Sequence, residues 1–139
     1  MAPPLEIHVS ESHWKFSSAE ASPHLLRVTL FEKIAAREIP AQIIAEGEEW
    51  IAFRDIAPQA PVHFLVVPKR CIPRLNEASP SESALLGTLL SAATATARAE
   101  GLGETGYRVV INSGLNGGET VPHLHLHVLG GRHMQWPPG

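Results

Sequence analysis

Two segments of the chain carry apolar residues at helical spacing. In residues 30–37, intervals of three and four predict a short amphipathic helix that ends before Pro40. A longer helix is predicted from Ser79 to about Glu100. Its start, Ser79-Pro80-Ser81-Glu82, supplies a capping residue, a proline at the first helical position and a glutamate that can complete a capping box. Its apolar stripe, which should pack on a sheet, consists of Leu85, Leu86, Leu89, Leu90, Ala93 and Ala97.

Five shorter segments are predicted to be β-strands. Residues 42–45, 50–54 and 62–67 are separated by glycine and proline, which favours an antiparallel meander. Residues 62–67 are apolar almost throughout, as is typical of a central strand covered on both faces. A fourth strand is predicted at residues 107–112, and a glycine-rich segment joins it to a fifth at residues 122–128.

The fifth strand has a histidine at every second position. Because side chains of a strand alternate between its two faces, His123, His125 and His127 should share one face, and the intervening leucines should take the other. Imidazole titrates near neutral pH and can act as nucleophile, base, acid or metal ligand. The alternation therefore predicts a chemical face and a core face on one strand.

The residues themselves leave three interpretations of this row. The histidines could lie on an exposed face without a function, or bind zinc, or carry out nucleophilic catalysis at phosphorus. A zinc site is disfavoured because the outer Cα atoms would be about 13 Å apart and no HExxH or CxxC motif supplies further ligands. Catalysis at phosphorus is favoured because Gly114, Gly117 and Gly118 permit backbone amides to converge on anionic oxygens.

Composition limits the remaining possibilities. The 139 residues fit a single domain, and a formal net charge of −3 gives no electrostatic reason to expect a nucleic acid or an anionic membrane as partner. One cysteine, Cys71, excludes an intramolecular disulfide, and no apolar run is long enough to span a membrane. We therefore expect a cytoplasmic protein, with organelle targeting only weakly supported. Residues 1–27 have no helical or strand period, so we expect a poorly ordered extension to a domain spanning residues 28–139.

These residues resemble the histidine-triad (HIT) family. The run from His123 to Leu129 matches the family signature His-φ-His-φ-His-φ-φ, where φ is apolar. The nucleotide-binding branch, called Hint, is similar in further segments, which are Phe31-Glu32-Lys33-Ile34, Glu38-Ile39-Pro40, Phe53-Arg54-Asp55-Ile56, Pro58-Gln59-Ala60-Pro61-Val62-His63-Phe64, Gly130-Gly131-Arg132 and Trp136-Pro137-Pro138-Gly139. The resemblance covers the chain from about Leu30 to its end.

The resemblance implies an α+β fold of the HIT type. It has a five-stranded, mainly antiparallel sheet with one short and one long helix, and it pairs into a ten-stranded sheet in a homodimer. The implied function is that of a purine nucleoside phosphoramidase, which hydrolyses the P–N bond of adenosine 5′-monophosphoramidates without a metal or other cofactor. Two alternatives stay open: a dinucleoside polyphosphate hydrolase of the same family, and a non-catalytic module that binds nucleotide or zinc.

The resemblance also implies roles for single residues. His125 would be the nucleophile that forms a nucleotidyl-histidine, His127 would contact the phosphate and the leaving group, and His123 would orient the nucleophile. His63 would be a fourth histidine of the network, and Asp55 would bind the ribose hydroxyls. The implied phosphate loop is Asn112, Gly118, Glu119 and Thr120, and the implied base site is Leu30, Phe31, Ile34, Phe53 and Ile56.

Two of these positions also have a purely structural interpretation, and a third position differs from the family pattern. From the residues alone, Asp55 could be only a turn former, and His63 could be an ordinary core histidine. Arg54 replaces a histidine of familiar animal members, which would place an additional cation near the ribose.

Overall fold

One antiparallel sheet organises residues 29–139, which are the residues that this computed structural model describes. The extension predicted at residues 1–27 lies outside them. The strands are β1 (Ile43–Glu46), β2 (Trp50–Arg54), β3 (Val62–Pro68), β4 (Tyr107–Val110) and β5 (Leu126–Gly130). Their order is β1-β2-β3-β5-β4, so the predicted meander and the central position of β3 are confirmed.

Two helices flank the sheet, and a capping box lies at the start of one and in the turn before the other. In α1 (Leu30–Ala35), the Thr29 hydroxyl accepts from the Glu32 amide and the Glu32 carboxylate accepts from the Thr29 amide. The predicted box of Ser79 and Glu82 also forms, but the turn that it opens is a 3₁₀ turn. The long helix α2 (Ser83–Ala99) therefore begins four residues later than predicted. Another 3₁₀ turn spans Leu75–Glu77.

The sheet buries a separate apolar cluster on each face. The α2 side contains Ala52, Phe64, Val66, Leu85, Leu89, Ala93, Ala97, Leu124, Leu126 and Val128. The α1 side contains Leu30, Phe31, Ile34, Ile51, Phe53, Leu65 and Val67. Neighbouring residues of β2 and β3 divide between these clusters, as the period of two requires.

The predicted stripe of α2 is partly wrong. Leu85, Leu89, Ala93 and Ala97 are buried, but Leu90 is 49% exposed, and Leu86 is only half-buried. Ala92 and Thr96 are buried instead. Each helical residue turns by about 100° from the one before, so Leu90 turns out of the buried face that Leu89 occupies.

The histidine segment enters the sheet later than predicted. Strand β5 begins only at Leu126, because Pro122 has no amide hydrogen and the next two amides are bonded elsewhere: His123 N donates to Val121 O and Leu124 N to Ile72 O. The predicted alternation of faces nevertheless holds. Leu124 and Leu126 join the α2 cluster, whereas His123 lies on the opposite face against Phe31 of the α1 cluster.

Among the described residues, no helix is both long and apolar enough to cross a membrane.

Replacing Gly131 with alanine should lower the free energy of unfolding by about 1–3 kcal/mol. Gly131 has a φ of 92°, and a Cβ there would lie 2.8 Å from Cβ of Pro61. Gly87 is the matched control, since its added Cβ meets nothing within 4 Å. Alanine at this exposed helical position should raise the free energy of unfolding by about 0.5–1 kcal/mol. Urea denaturation measures both, and a Gly131 variant as stable as the parent would contradict the close approach.

Candidate active site

Four imidazole rings lie together on the α1 face of the sheet. His123 and His125 precede β5, His127 lies within it, and His63 lies on the neighbouring strand β3. The ring centroids are 5.0 Å apart for His125 and His127 and 5.3 Å apart for His127 and His63. All four residues are less than 5% exposed. Histidines on an exposed face without a function are therefore excluded.

Burial keeps these rings neutral. Removal from water lowers the pKa of His63 and of His123 to about 4 and that of His127 to about 2. It also lowers the pKa of His125. A neutral imidazole has one protonated nitrogen and one lone pair, so the hydrogen-bond partners decide which nitrogen carries the proton.

His123 uses both of its ring nitrogens within the fold. Its Nε2 is 2.8 Å from the Pro68 carbonyl oxygen, which can only accept, so Nε2 is protonated. Its Nδ1 then accepts from the Thr29 hydroxyl at 2.6 Å. This ring is held between the end of β3 and the start of α1, and it leaves no ring nitrogen for a substrate.

The His125 ring has its lone pair on Nε2. Its Nδ1 is 2.8 Å from the carbonyl oxygen of His123 and therefore donates a proton to it. The other nitrogen of this neutral ring is consequently unprotonated, as a nucleophile must be. The predicted orienting role of His123 thus has a physical basis in its backbone carbonyl.

His63 and His127 form a hydrogen-bonded pair with a fixed direction. The Gln59 amide donates to His63 Nδ1 at 3.0 Å, so the proton of His63 is on Nε2. This Nε2 donates to His127 Nδ1 at 3.1 Å. The proton of His127 is therefore on its own Nε2, which is buried and has no hydrogen-bond partner among residues 29–139. The site accordingly combines an unprotonated nitrogen on one ring with an N–H donor on the next.

Asp55 lies beside this pair with its side chain buried. Its Oδ1 accepts from the Ala57 amide at 2.9 Å, so the turn-forming role is present. Its Oδ2 is 3.5 Å from His63 Nε2 and accepts no hydrogen bond from any residue in the described range. Burial raises the pKa of Asp55 to about 6. One carboxylate oxygen is thus engaged by the turn, and the other has no donor within the described residues.

The glycine-rich loop does not offer the predicted cradle of amides. The amides of Gly117 and Glu119 donate to the Gly114 carbonyl, and that of Gly118 donates to the Leu115 carbonyl. The Gly114 amide donates to the Glu119 carboxylate at 2.7 Å. With positive φ at Gly114 and Gly118, the loop closes tightly enough to satisfy its own amides. The prediction that these amides converge on a phosphate is therefore wrong.

Glu119 holds this loop through an arginine that the sequence did not single out. Arg74 donates to its carboxylate from Nε at 2.8 Å and from Nη2 at 2.9 Å. Burial alone would raise the pKa of Glu119, but the hydrogen bonds from Arg74 and Gly114 outweigh it and lower the pKa. Glu119 is thus ionised, and its carboxylate and amide are both engaged within the protein. Thr120 Oγ1 is buried without a partner in the described part of the chain, and Asn112 is half-buried.

The residues implied for the base site divide into two groups. Leu30, Phe31, Ile34 and Phe53 are packed within the α1 cluster and are at most 4% exposed. Ile56 is 63% exposed and is the one member that presents apolar surface. Arg54 does not place a cation beside Asp55, because its Nη1 is paired with Glu100 Oε1 at 2.6 Å. Successive residues of β2 alternate faces, so Arg54 is on the α2 side, opposite Phe53.

Sequence reasoning missed the partners that fix the rings. Thr29 had a visible signal, because Thr29-Leu30-Phe31-Glu32 is itself a capping-box pattern. The amide of Gln59 and the carbonyl of Pro68 had none, since backbone groups are the same in every residue and only the fold determines where they lie.

Comparison with known proteins places these features in a family. A sequence model of the HIT domain matches residues 36–134. An uncharacterized HIT-like protein of Synechococcus elongatus is 59% identical over 111 residues, which cover 80% of this chain and 96% of that protein. A 14 kDa zinc-binding protein of Zea mays is 50% identical over 113 residues, which cover 80% and 88%.

Solved structures share the fold. A HIT family hydrolase from Legionella pneumophila superposes with a TM-score of 0.78 at 52% identity, covering 79% of this chain and 98% of that one. A histidine triad nucleotide-binding protein from Candida albicans superposes with a TM-score of 0.67 at 28% identity, covering 78% and 82%. The predicted α+β fold, with its five-stranded sheet and one long helix, is therefore confirmed.

Acid should destabilise the protein between pH 7 and pH 5. The unfolded histidines have a pKa near 6.5, whereas burial lowers the pKa of His63, His123 and His127 to about 4 or below. Between these values the unfolded chain binds the additional protons, so falling pH favours unfolding. Each of the three rings should lower the free energy of unfolding by about 2 kcal/mol at pH 5.

Asp55 acts in the opposite direction in this window. Because the pKa of Asp55 in the folded protein is raised to about 6, this residue should raise the free energy of unfolding by about 1 kcal/mol at pH 5. This gain is smaller than the loss caused by the three histidines together. Urea denaturation at pH 7 and pH 5 measures the net change, and a His63→Gln variant should lose less stability than the parent. Equal or greater stability of the parent at pH 5 would refute the neutral assignment.

Proposed function

This chain belongs to the HIT family, and from that membership we propose that it is a purine nucleoside phosphoramidase of the Hint branch. Its substrates would be adenosine 5′-monophosphoramidates, cleaved at the P–N bond through a covalent nucleotidyl-histidine on His125. One observation carries the proposal: the bond from His125 Nδ1 to the His123 carbonyl leaves a lone pair on His125 Nε2, and the bond from His63 Nε2 to His127 Nδ1 leaves an N–H on His127 Nε2.

The reaction would proceed in two displacements. His125 Nε2 attacks the α-phosphorus, the P–N bond breaks, and the departing amine nitrogen takes the proton of His127 Nε2. Loss of this proton leaves the neutral His127 ring as an imidazolate, and the positive charge that develops on the phosphorylated His125 ring, whose centroid is 5.0 Å away, stabilises it. Water then attacks phosphorus, its proton returns to His127 Nε2, and His125 leaves with its lone pair restored. The products are a nucleoside monophosphate and an amine.

Two unsatisfied polar atoms suit the rest of the substrate. The Thr120 hydroxyl lacks a partner in the described chain and can donate to a phosphoryl oxygen. Asp55 Oδ2 accepts from no donor among residues 29–139, and a ribose hydroxyl would supply one. Exposed Ile56 beside Asp55 offers apolar surface to the base. Glu119 and Gly118 would act by shaping the loop rather than by contacting phosphate.

The proposal requires that a phosphoryl group reach a ring that is 4% exposed. Titrating ¹⁵N-histidine-labelled protein with AMP tests this access directly. Shifts of the His125 and His127 ring signals, with those of His133 unchanged, would support it. Saturable AMP binding that leaves the triad signals unmoved would place the nucleotide elsewhere.

We also propose a homodimer in the expected cytoplasmic setting. Strand β4 is at the edge of the sheet, and its unpaired backbone groups are a template on which a second copy could continue the sheet. Trp136 is 80% exposed near the end of the chain and offers apolar surface to a second subunit. Sedimentation equilibrium would distinguish dimer from monomer.

Replacing His125 with asparagine should reduce phosphoramidase turnover by at least about 10³-fold. The substitution removes the nucleophilic nitrogen, whereas asparagine still places a polar side chain of moderate size in the buried position of His125. His133→Asn is the matched control, since His133 is exposed and outside the site. Steady-state rates with adenosine 5′-monophosphoramidate measure the effect, and circular dichroism checks the fold. A folded variant that retains near-parental turnover would refute the nucleophile assignment.

Substrate preference distinguishes the proposed phosphoramidase from a dinucleoside polyphosphate hydrolase. If the proposal is correct, the phosphoramidate should be hydrolysed with a higher kcat/KM than a diadenosine polyphosphate. A reversed preference that depends on His125 would favour the alternative.

One relative is named as a zinc-binding protein, and one cluster of side chains in this chain has ligand atoms close enough together to bind an ion. Asp55, His63 and His127 place one ligand atom each within 4.8 Å of one another. The distances from His63 Nε2 to the other two, 3.1 Å and 3.5 Å, suit neighbouring ligands of a tetrahedral ion with bonds of about 2.0–2.2 Å.

Protonation opposes a zinc ion there. His63 could ligate through Nε2 only if its proton moved to Nδ1, where it would face the N–H of Gln59. The other candidate group, Glu32, Cys71 and His123, includes a ring whose two nitrogens are already bonded. The residues as arranged do not fit zinc.

Protein treated with a chelator should therefore keep its full phosphoramidase activity. Dialysis against micromolar zinc, followed by elemental analysis, should give well under one ion per chain. Stoichiometric zinc that is lost in His63→Gln, together with activity lost on chelation, would overturn both expectations.

A further inference from the structure

We propose that Arg132 is a positioning residue that keeps His127 in its proton-donating form, acting through Gln59 and His63. The inference rests on the proposed phosphoramidase function and names a residue outside the triad. Arg132 is exposed, follows β5, and makes its hydrogen bonds to backbone carbonyls rather than to the rings.

The contacts form a continuous chain from the surface to the reacting ring. Arg132 donates to the Gln59 carbonyl from Nε at 3.2 Å and from Nη2 at 3.0 Å. The amide of the same Gln59 donates to His63 Nδ1 at 3.0 Å. His63 Nε2 donates to His127 Nδ1 at 3.1 Å. Each bond has one donor and one acceptor, so the position of Gln59 determines the direction of the whole series.

The backbone beside Arg132 is built for this contact. Gly131, with its φ of 92°, packs directly on Pro61 in the same loop as Gln59. Gly130 pairs with Val62, the first residue of β3. The segment after β5 therefore lies against the loop before β3 at two places, and the Arg132 guanidinium adds a charge-assisted clamp on Gln59.

The clamp matters because the two imidazoles can adopt two opposite arrangements. If the Gln59 amide moves away, His63 can carry its proton on Nδ1 and accept at Nε2. His127 would then donate from Nδ1, and its Nε2 would be unprotonated. The nitrogen facing the leaving group would become an acceptor, so it could no longer deliver a proton to the amine. Asp55 Oδ2, 3.5 Å from His63 Nε2, favours the first arrangement but does not touch Nδ1.

Ring protonation can be observed directly. Long-range ¹H–¹⁵N spectra of ¹⁵N-histidine-labelled protein distinguish protonated from unprotonated ring nitrogens. The parent should show His63 and His127 both protonated at Nε2. Arg132→Ala should shift both rings toward Nδ1 protonation, whereas Arg132→Lys, which can still donate to the carbonyl, should preserve more of the parental pattern. Unchanged ring signals in folded Arg132→Ala would overturn the proposal.

Kinetics with two leaving groups supply the second readout. For an alkyl phosphoramidate of AMP, kcat of Arg132→Ala should fall about 3- to 10-fold, because a smaller fraction of the protein then carries the proton on His127 Nε2 that the amine needs. For the 4-nitrophenyl ester of AMP, which leaves as a stable anion, kcat should change by less than about 2-fold, since it needs less help from a proton donor. Equal losses with both substrates would indicate a general structural defect and overturn the proposal.

Two further variants sharpen the comparison. Gln59→Pro removes the amide proton itself and should reproduce the leaving-group dependence more strongly, provided that circular dichroism shows a folded chain. Arg70→Ala removes another exposed arginine, which pairs with Glu82, and should leave both rates unchanged. If Arg70→Ala changed kcat for both substrates as Arg132→Ala does, a specific role for Arg132 would be contradicted.

The experiment separates this inference from the proposed function. If the parent hydrolyses neither substrate, the phosphoramidase assignment fails, whereas the spectra still test the clamp. If the parent is active and Arg132→Ala shows no dependence on leaving group, only the role of Arg132 fails.

Discussion

Removal of four imidazoles from water is the constraint on which the rest of the site depends. A strand segment with histidine and apolar residues in alternation must turn one set toward each face of the sheet. The leucines enter the α2 cluster, so the histidines are forced into the α1 side, where they are less than 5% exposed. Burial there disfavours the imidazolium form and leaves each ring with one proton and one lone pair.

The fold then decides where each proton resides, and it does so mainly with backbone groups. Pro68 at the end of β3 and Gln59 in the preceding loop bond to His123 and His63, respectively. The His123 carbonyl bonds to His125. A carbonyl can only accept and a backbone amide can only donate, so these contacts determine which ring nitrogen carries the proton. The site therefore relies on the relative placement of several elements. If one of them moved, a hydrogen bond would be lost and the proton of that imidazole could move to its other ring nitrogen.

The sequence predicted the parts of this arrangement that depend on periodicity and capping. The period of two separated His125 from Leu126, and the apolar run around His63 identified the central strand. Prediction from the sequence failed where neighbouring segments compete for hydrogen bonds. Strand β5 starts at Leu126 rather than at Pro122, and the amides of the glycine-rich loop bond within the loop instead of pointing at a ligand. Leu90 was misassigned because helical spacing defines a stripe only to within about one residue at its edge.

The roles of Gln59 and Arg74 could not be predicted for a different reason. The Gln59 contact uses a backbone amide, which every residue but proline possesses, and Arg74 meets Glu119 from 45 positions away along the chain. Only the folded arrangement brings such groups together. The family resemblance supplied candidate roles for the histidines, whereas the hydrogen bonds supply the physical reason that neighbouring rings differ.

The assignment of nucleophile is tested most directly by rapid quenching of the enzyme during turnover of adenosine 5′-monophosphoramidate. Tandem mass spectrometry then locates the bound nucleotide, and NMR of the labelled peptide identifies the modified nitrogen. We expect AMP on Nε2 of His125. Transfer to another side chain, or to Nδ1 of His125, would contradict it.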